Sequence, residues 1–459
     1  MFFFSKKDKI IDDMKATLHK LQSKDETTLR ALETDQTLSI SSLTPEEKRQ
    51  QTISALESAI KFAEQEDEPD GHTFHSRDPL TGITQSHIAK NNPSLSQEIQ
   101  DNVLPGLQGF GQGNPLVWIP TGIDGILEHF KPKAKFKVAT SEKSQLQLPD
   151  TCKVALLGDW GADNDHAKRL GQLAIDRGAD FVIHLGDIYY SGAQSECDTF
   201  LRNWPLKGAD EKPIVGRSFA LNGNHEMYSL GRYYFTTVLD GFRQEASYFT
   251  LSNDWWQIHG LDTAYVPFSI SGGTVDASLK PQYDWLVNSI KSNPEKRNIF
   301  LSHNQPVSAH LPEFEAGDPL RIEYWNILQE TNSNAIFAWF FGHEHRCTIY
   351  DDTKTDFKAR LIGNGSIPHL PQEEVAPDED ETKSQCTPFV EVNKKALDNG
   401  PVAISTFALL SFDKDSCTVE YINEDGSSFY HTEVWKALRA TCREPHPYAA
   451  FRGWGDRSA

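Results

Sequence analysis

The chain has 459 residues, 38% of them hydrophobic, with 45 basic against 65 acidic side chains and a formal net charge of −20. That is enough apolar material for at least one large core, and the negative excess excludes long nucleic acid or an acidic membrane as the expected partner. No apolar run approaches the roughly 20 residues a membrane-crossing helix needs, and the opening MFFFSKKDKI is too short in apolar residues for a signal peptide, so a cytoplasmic protein is expected.

Residues 1–66 are polar and helical in pattern. Ile10, Met14, Leu18 and Leu21 share one face, and Ile53, Leu56, Ile60 and Ala63 share the face of a second helix. The second helix has a start signal in Thr44, Pro45 and Glu47, which together satisfy the first orphan amides. The pair reads as a helical hairpin extension serving packing or oligomerisation. Residues 67–144 turn loop-like. Their glycine-rich LPGLQGFGQGNP follows no apolar strand, so it reads as linker and not as a phosphate cradle. From 145 to 435, short apolar runs alternate with helical segments such as HAKRLGQLAIDRG and PQYDWLVNSIKSN, which predicts a layered α/β domain. Within it, PQEEVAPDEDETKSQ is an acidic surface insertion, and residues 436–459 form an aromatic, basic tail. The cysteines at 152, 197, 347, 386, 417 and 442 lack any C-x-x-C spacing and are expected as reduced thiols.

Five apolar runs of this domain end alike, each delivering a metal-competent side chain where a strand should stop. VALLGDWG gives Asp159, FVIHLGDIYY gives Asp187, SFALNGNHE gives Asn224 and His225, IFLSHNQP gives His303, and IFAWFFGHEH gives His343 and His345. Each piece alone is an ordinary turn or a core histidine. In order, at successive strand ends where ligands collect in α/β sheets, they predict one shared site.

These motifs resemble the calcineurin-like metallophosphoesterases, and the resemblance implies a four-layer α/β/β/α sandwich. Most members carry a histidine two residues after the first aspartate, where this chain has Gly161. In the purple acid phosphatase branch a tyrosine three residues after the bridging aspartate replaces it, and GDIYY puts Tyr190 there. GDWG is most similar to the smaller, mammalian-type members of that branch. By motif, Asp159, Asp187, Tyr190 and His345 are expected on one metal, and Asp187, Asn224, His303 and His343 on the other, with Asp187 bridging. Tyr189 is assigned to packing. A phenolate ligand at neutral pH calls for a strongly charged ion, so the implied pair is Fe3+ with Fe2+, Zn2+ or Mn2+.

The implied activity is hydrolysis of small phosphomonoesters by a metal-bound hydroxide, with His225 donating toward the leaving oxygen. A phosphodiesterase for cyclic nucleotides or other small diesters is the alternative on the same core. A scaffold or sensor working through the N-terminal helices is the distant one, disfavoured because every ligand position is filled. Glu226 and Glu344 are candidates to hold imidazole rings or to be solvated loop residues. His166, His184 and His259 are expected to be structural, His310 has no matched role, and Arg217 and Arg232 are guessed anion contacts.

Overall fold

In the computed structural model the described residues are 134–140, 145–189, 192–227, 229–265, 278–309, 336–355, 357–366, 389–397 and 400–437, with isolated positions 15, 18, 19, 22, 23 and 53. The helical pattern of 1–66, the acidic insertion and the tail after 437 fall outside them, apart from those isolated positions.

Two large sheets form the body. One has six strands in the order β16-β15-β14-β2-β3-β4: β2 (Thr151–Leu157), β3 (Phe181–His184), β4 (Ser218–Ala220), β14 (Thr406–Asp413), β15 (Ser416–Asn423) and β16 (Glu433–Lys436). The other has eight in the order β1-β5-β6-β7-β8-β10-β9-β11: β1 (Gln145–Gln147), β5 (Phe249–Ser252), β6 (Trp256–Gly260), β7 (Arg297–Ser302), β8 (Ala338–Phe341), β9 (Cys347–Tyr350), β10 (Lys358–Ile362) and β11 (Phe389–Val392). A small antiparallel pair, β12 (Lys394–Leu397) and β13 (Gly400–Ala403), completes the strands among the described residues.

Successive side chains of a strand point to opposite faces, and here both faces are apolar because both are covered. Cys152, Val154 and Leu156 of β2 join Ile299 and Leu301 of β7 and Phe340 of β8 in a core between the sheets. Ala155 and Leu157 of β2 face outward into a second core with Leu170 and Ala174 of helix α1 (Asp165–Asp176) and Phe200 of helix α2 (Gln194–Asn203). On the far side, Phe300, Trp339 and Phe341 pack with Leu286, Val287 and Ile290 of the long helix Lys280–Ser292. The result is the expected four-layer α/β/β/α order. Helix α1 starts where Asn164 accepts the Ala167 amide at 2.9 Å, a side-chain cap for an otherwise unpaired donor.

Part of the segment expected to be linker is docked on this body. The Ala134 amide donates to Leu230 O, and the Phe136 and Ala139 amides donate to the hydroxyls of Tyr265 and Tyr248. Cys152, Cys197, Cys347 and Cys417 are buried free thiols. No helix among the described residues is long and apolar enough to cross a membrane.

Candidate metal centre

The candidate side chains all leave the carboxyl ends of strands. Asp159 follows β2, Asp187 follows β3 and Asn224 follows β4, three parallel neighbours in the six-stranded sheet. His303 follows β7, and His343 and His345 follow β8, parallel neighbours in the other sheet. The two sets of loops meet across the sandwich. His303 Nδ1 lies 3.0 Å from Leu185 O, and the His343 amide donates to Asp159 Oδ2 at 2.9 Å.

Two donor groups share one carboxylate: Asp187 with His303 and His343, and Asp187 with Asp159 and His345. In the first, Asn224 Oδ1 lies 2.8 Å from His303 Nε2 and 2.9 Å from His343 Nδ1, and Asp187 Oδ1 lies 3.2 Å from His303 Nε2. In the second, His345 Nε2 lies 3.3 Å from Asp159 Oδ1. The Tyr189 hydroxyl sits among the same atoms, 3.0 Å from Asp159 Oδ1, 3.3 Å from Asp187 Oδ2 and 2.7 Å from His345 Nε2. Adjacent donors of an ion bonded at about 2.0–2.2 Å lie roughly 3 Å apart, which is the spacing found here.

The loops are held in costly conformations. Asp159, Asp187 and His343 have φ of 53°, 73° and 77°, left-handed backbone that costs a non-glycine residue on the order of 1 kcal/mol or more. Glu226 Oε2 fixes one of them by accepting the Asp187 amide at 3.1 Å together with the Gly223 amide at 3.2 Å. Gly186, with φ of 103°, lets the His303 ring lie against its backbone, where a Cβ would be 2.6 Å from Nδ1.

The electrostatics ask for cations. Asp159 and Asp187 are buried, and among the described residues their ion-pair partners are histidines. Burial pushes both carboxyls well above the usual range, and Asp159 raises Asp187 further. Burial also holds His303 well below its ordinary value, so the ring is neutral. Because a carbonyl only accepts, the proton of His303 belongs on Nδ1, facing Leu185 O. Nε2 then presents a lone pair to Asn224 Oδ1 and Asp187 Oδ1, three acceptors face to face. A cation between them turns that repulsion into ligation, so the donor set fits metal.

Residues 152–347 match the family model described as calcineurin-like phosphoesterase. The chain carries a calcineurin-like phosphoesterase domain. This is the domain of a metal-dependent phosphoric ester hydrolase, and its Asp and His residues could hold two ions. Among solved structures, GAP50, the anchor in the inner membrane complex of Plasmodium, is similar at 13% identity and TM-score 0.45, over 63% of this chain and 90% of that one. A purple acid phosphatase from yellow lupin (Lupinus luteus) seeds is similar at 16% identity and TM-score 0.45, over 63% of this chain. The alignment spans 55% of the lupin protein's length. PhoD is similar at 12% identity and TM-score 0.39, over 64% of this chain and 70% of that one. No curated protein matched at the sequence level.

The phosphoesterase domain thus brings Asp159, Asp187, Asn224, His303, His343 and His345 together. His225 joins them, its amide donating to Asp187 Oδ1 at 3.1 Å and its Nε2 3.7 Å from Asp187 Oδ2. Tyr190 and His310 lie outside the described residues. Tyr189, expected to pack, does pack edge-on against His225 and His345, but its hydroxyl enters the donor cluster. Glu226 is buried and holds backbone amides, neither an imidazole ring nor solvent, and Glu344 is buried too. His166 pairs with Glu424, and His259 lies 2.8 Å from Thr250 Oγ1 and 2.9 Å from Asn298 Oδ1, both apart from the cluster. His184 is buried without a hydrogen-bond partner among the described residues, and Arg217 and Arg232 lie over the rings of Phe181 and Tyr233.

Proposed function

We propose that the chain hydrolyses small phosphomonoesters at two metal ions that share Asp187. The observation carrying this is the division of one buried carboxylate, with Oδ1 beside His303 and Oδ2 beside the tyrosine hydroxyl of the Asp159 group. Asp159, Asp187 and His345, with Tyr190 by motif, would hold one ion, and Asp187, Asn224, His303 and His343 the other. When bound, such a pair supplies the positive charge that makes phosphorus electrophilic and water acidic. The oxygen-rich group suits a hard ion and the imidazole-rich group a borderline one, which supports Fe3+ with Fe2+, Zn2+ or Mn2+.

The chain's own contribution is rigidity and a proton. Paired loops fix the donors before the ester arrives, so no reorganisation is needed during the reaction. His225 is tied through its amide to Asp187 and through its ring to Tyr189, at the edge of the cluster, where an imidazole serves as donor to the departing alkoxide. A cytoplasmic location and assembly through residues 1–66 belong to the same proposal, supported by the sequence pattern.

The test is turnover of a chromogenic monoester and its matching diester before and after dialysis against a chelator. Monoester turnover should dominate, vanish on chelation and return with iron and zinc. Diester turnover in excess would move the assignment to a phosphodiesterase, and activity that survives complete metal removal would refute the proposal.

A further inference from the structure

Residues 134–140 precede β1, yet they are bound to two loops at the edge of the site. The Ala134 amide donates at 2.9 Å to Leu230 O, three residues past the short helix Asn224–Met227 that carries His225. The Tyr265 hydroxyl, on the loop after β6, donates to Ala134 O at 2.8 Å and accepts the Phe136 amide at 3.1 Å. The Phe136 ring packs on Tyr265 at 5.0 Å between centroids and stacks on Tyr248 at 5.8 Å, and the Tyr248 hydroxyl accepts the Ala139 amide at 3.0 Å. A segment outside the sheets thus has its backbone groups satisfied by the body it lies on.

The β6 loop supplies none of the proposed ligands, but it joins two loops that do. Buried Asp262 accepts from Asn222 Nδ2 at 3.2 and 3.3 Å, two residues before Asn224. Thr263 Oγ1 donates to Asn304 Oδ1 at 3.0 Å and accepts the Asn304 amide at 3.0 Å, one residue after His303. Asn224 follows a strand of one sheet and His303 a strand of the other, and Oδ1 of the first lies 2.8 Å from Nε2 of the second. The Tyr265 and Ala264 amides donate to Asp262 Oδ1 at 2.9 and 3.1 Å. A displaced Tyr265 therefore pulls on the carboxylate that holds Asn222, and a buried polar network loses heavily when one member is left unpaired.

We infer that residues 134–140 are a strap that keeps the metal-site loops in place, with Tyr265 as its positioning residue. Docked, the strap holds Asn224 and His303 for their shared ion and His225 for the departing group. Released, it loosens these loops without removing a donor. The inference rests on the two-metal reading for its effect on turnover, and on the loop contacts alone for its effect on their motion. It makes catalysis depend on a segment outside the strand framework, and it gives the chain before residue 134 a mechanical route to the site.

Amide hydrogen exchange and monoester turnover of the full chain, loaded with iron and zinc, test this in two variants. Tyr265→Phe keeps the ring and deletes both hydroxyl bonds to the strap, and Phe136→Ala removes the anchor from the half-buried strap itself. In both, residues 222–231 and 261–265 should exchange about tenfold faster, with exchange in β2 and β7 unchanged. Turnover number and kcat/KM should fall together by about tenfold, the mark of lost preorganisation. Faster exchange confined to residues 134–140 with turnover intact overturns the inference. So does a uniform rise across the whole domain, which marks general destabilisation. A wild type without monoester turnover whose two loops still open in both variants counts against the proposed reaction and supports the strap.

Discussion

Glu226 lies wholly buried beside Asp187, with burial first and the Asp187 charge second pushing its carboxyl well above the usual range. One oxygen takes the amides of Asp187 and Gly223, and the other has no hydrogen-bond partner among the described residues. The residue therefore acts through Asp187, holding its left-handed backbone in place. Glu226→Gln keeps an acceptor for both amides, and its melting temperature should stay close to wild type. Glu226→Ala strands two buried N–H groups at about 1–3 kcal/mol each, so it should melt earlier and hold metal more weakly. Melting curves of metal-free and metal-loaded protein check this, and an alanine variant indistinguishable from wild type in both would contradict it.

At the level of elements, the strands are buried on both faces, and β3 carries a histidine into that setting. His184 packs against Phe200 at 4.8 Å between ring centroids, and burial depresses its pKa to about 3. A buried neutral histidine is protonated more readily in the unfolded chain, so stability falls as pH drops below the ordinary value of about 6.5 and continues to fall until the folded value is reached. Between pH 7 and pH 5 the loss from this one group is about 2 kcal/mol. His259, lowered to about 4 by burial, adds to it in the same direction. Urea unfolding of His184→Leu at both pH values should show a difference smaller than that of wild type by this amount. An identical pH dependence would contradict it.

The same elements explain what the sequence could and could not announce. Apolar runs ending in Asp, Asn and His are a local signal, and the strands β2, β3, β4, β7 and β8 follow from them, as do the helices over HAKRLGQLAID and PQYDWLVNSIKS. The position of the Tyr189 hydroxyl beside Asp159 is not a local signal. It depends on the pairing of the Gly161 loop with the Asp187 loop, across 26 residues of chain. The role of Glu226 is not local either, because burial beside the Asp187 loop, and not its neighbours in sequence, makes it a clamp.

Across the whole molecule, the site lies where the two sheets meet, and covalent connection alone does not fix that meeting. Arg360 on β10 ties the sheets at another point, its guanidinium donating to the Tyr421 hydroxyl on β15 at 3.0 Å and to both carboxylate oxygens of Glu433 on β16 at 2.8–2.9 Å. At the carboxyl ends, Asp159, Asp187 and Asn224 come from one sheet and the three histidines from the other, so bound ions would cross-link the layers with Asp187 common to both. Metal analysis of folded wild type and Asp187→Asn, each loaded with iron and zinc and freed of excess, tests that claim most directly. About two ions per chain in wild type and fewer than one in the variant, with unchanged circular dichroism, are the result expected. Two ions retained by Asp187→Asn, or none bound by wild type, would contradict a shared-carboxylate dinuclear centre.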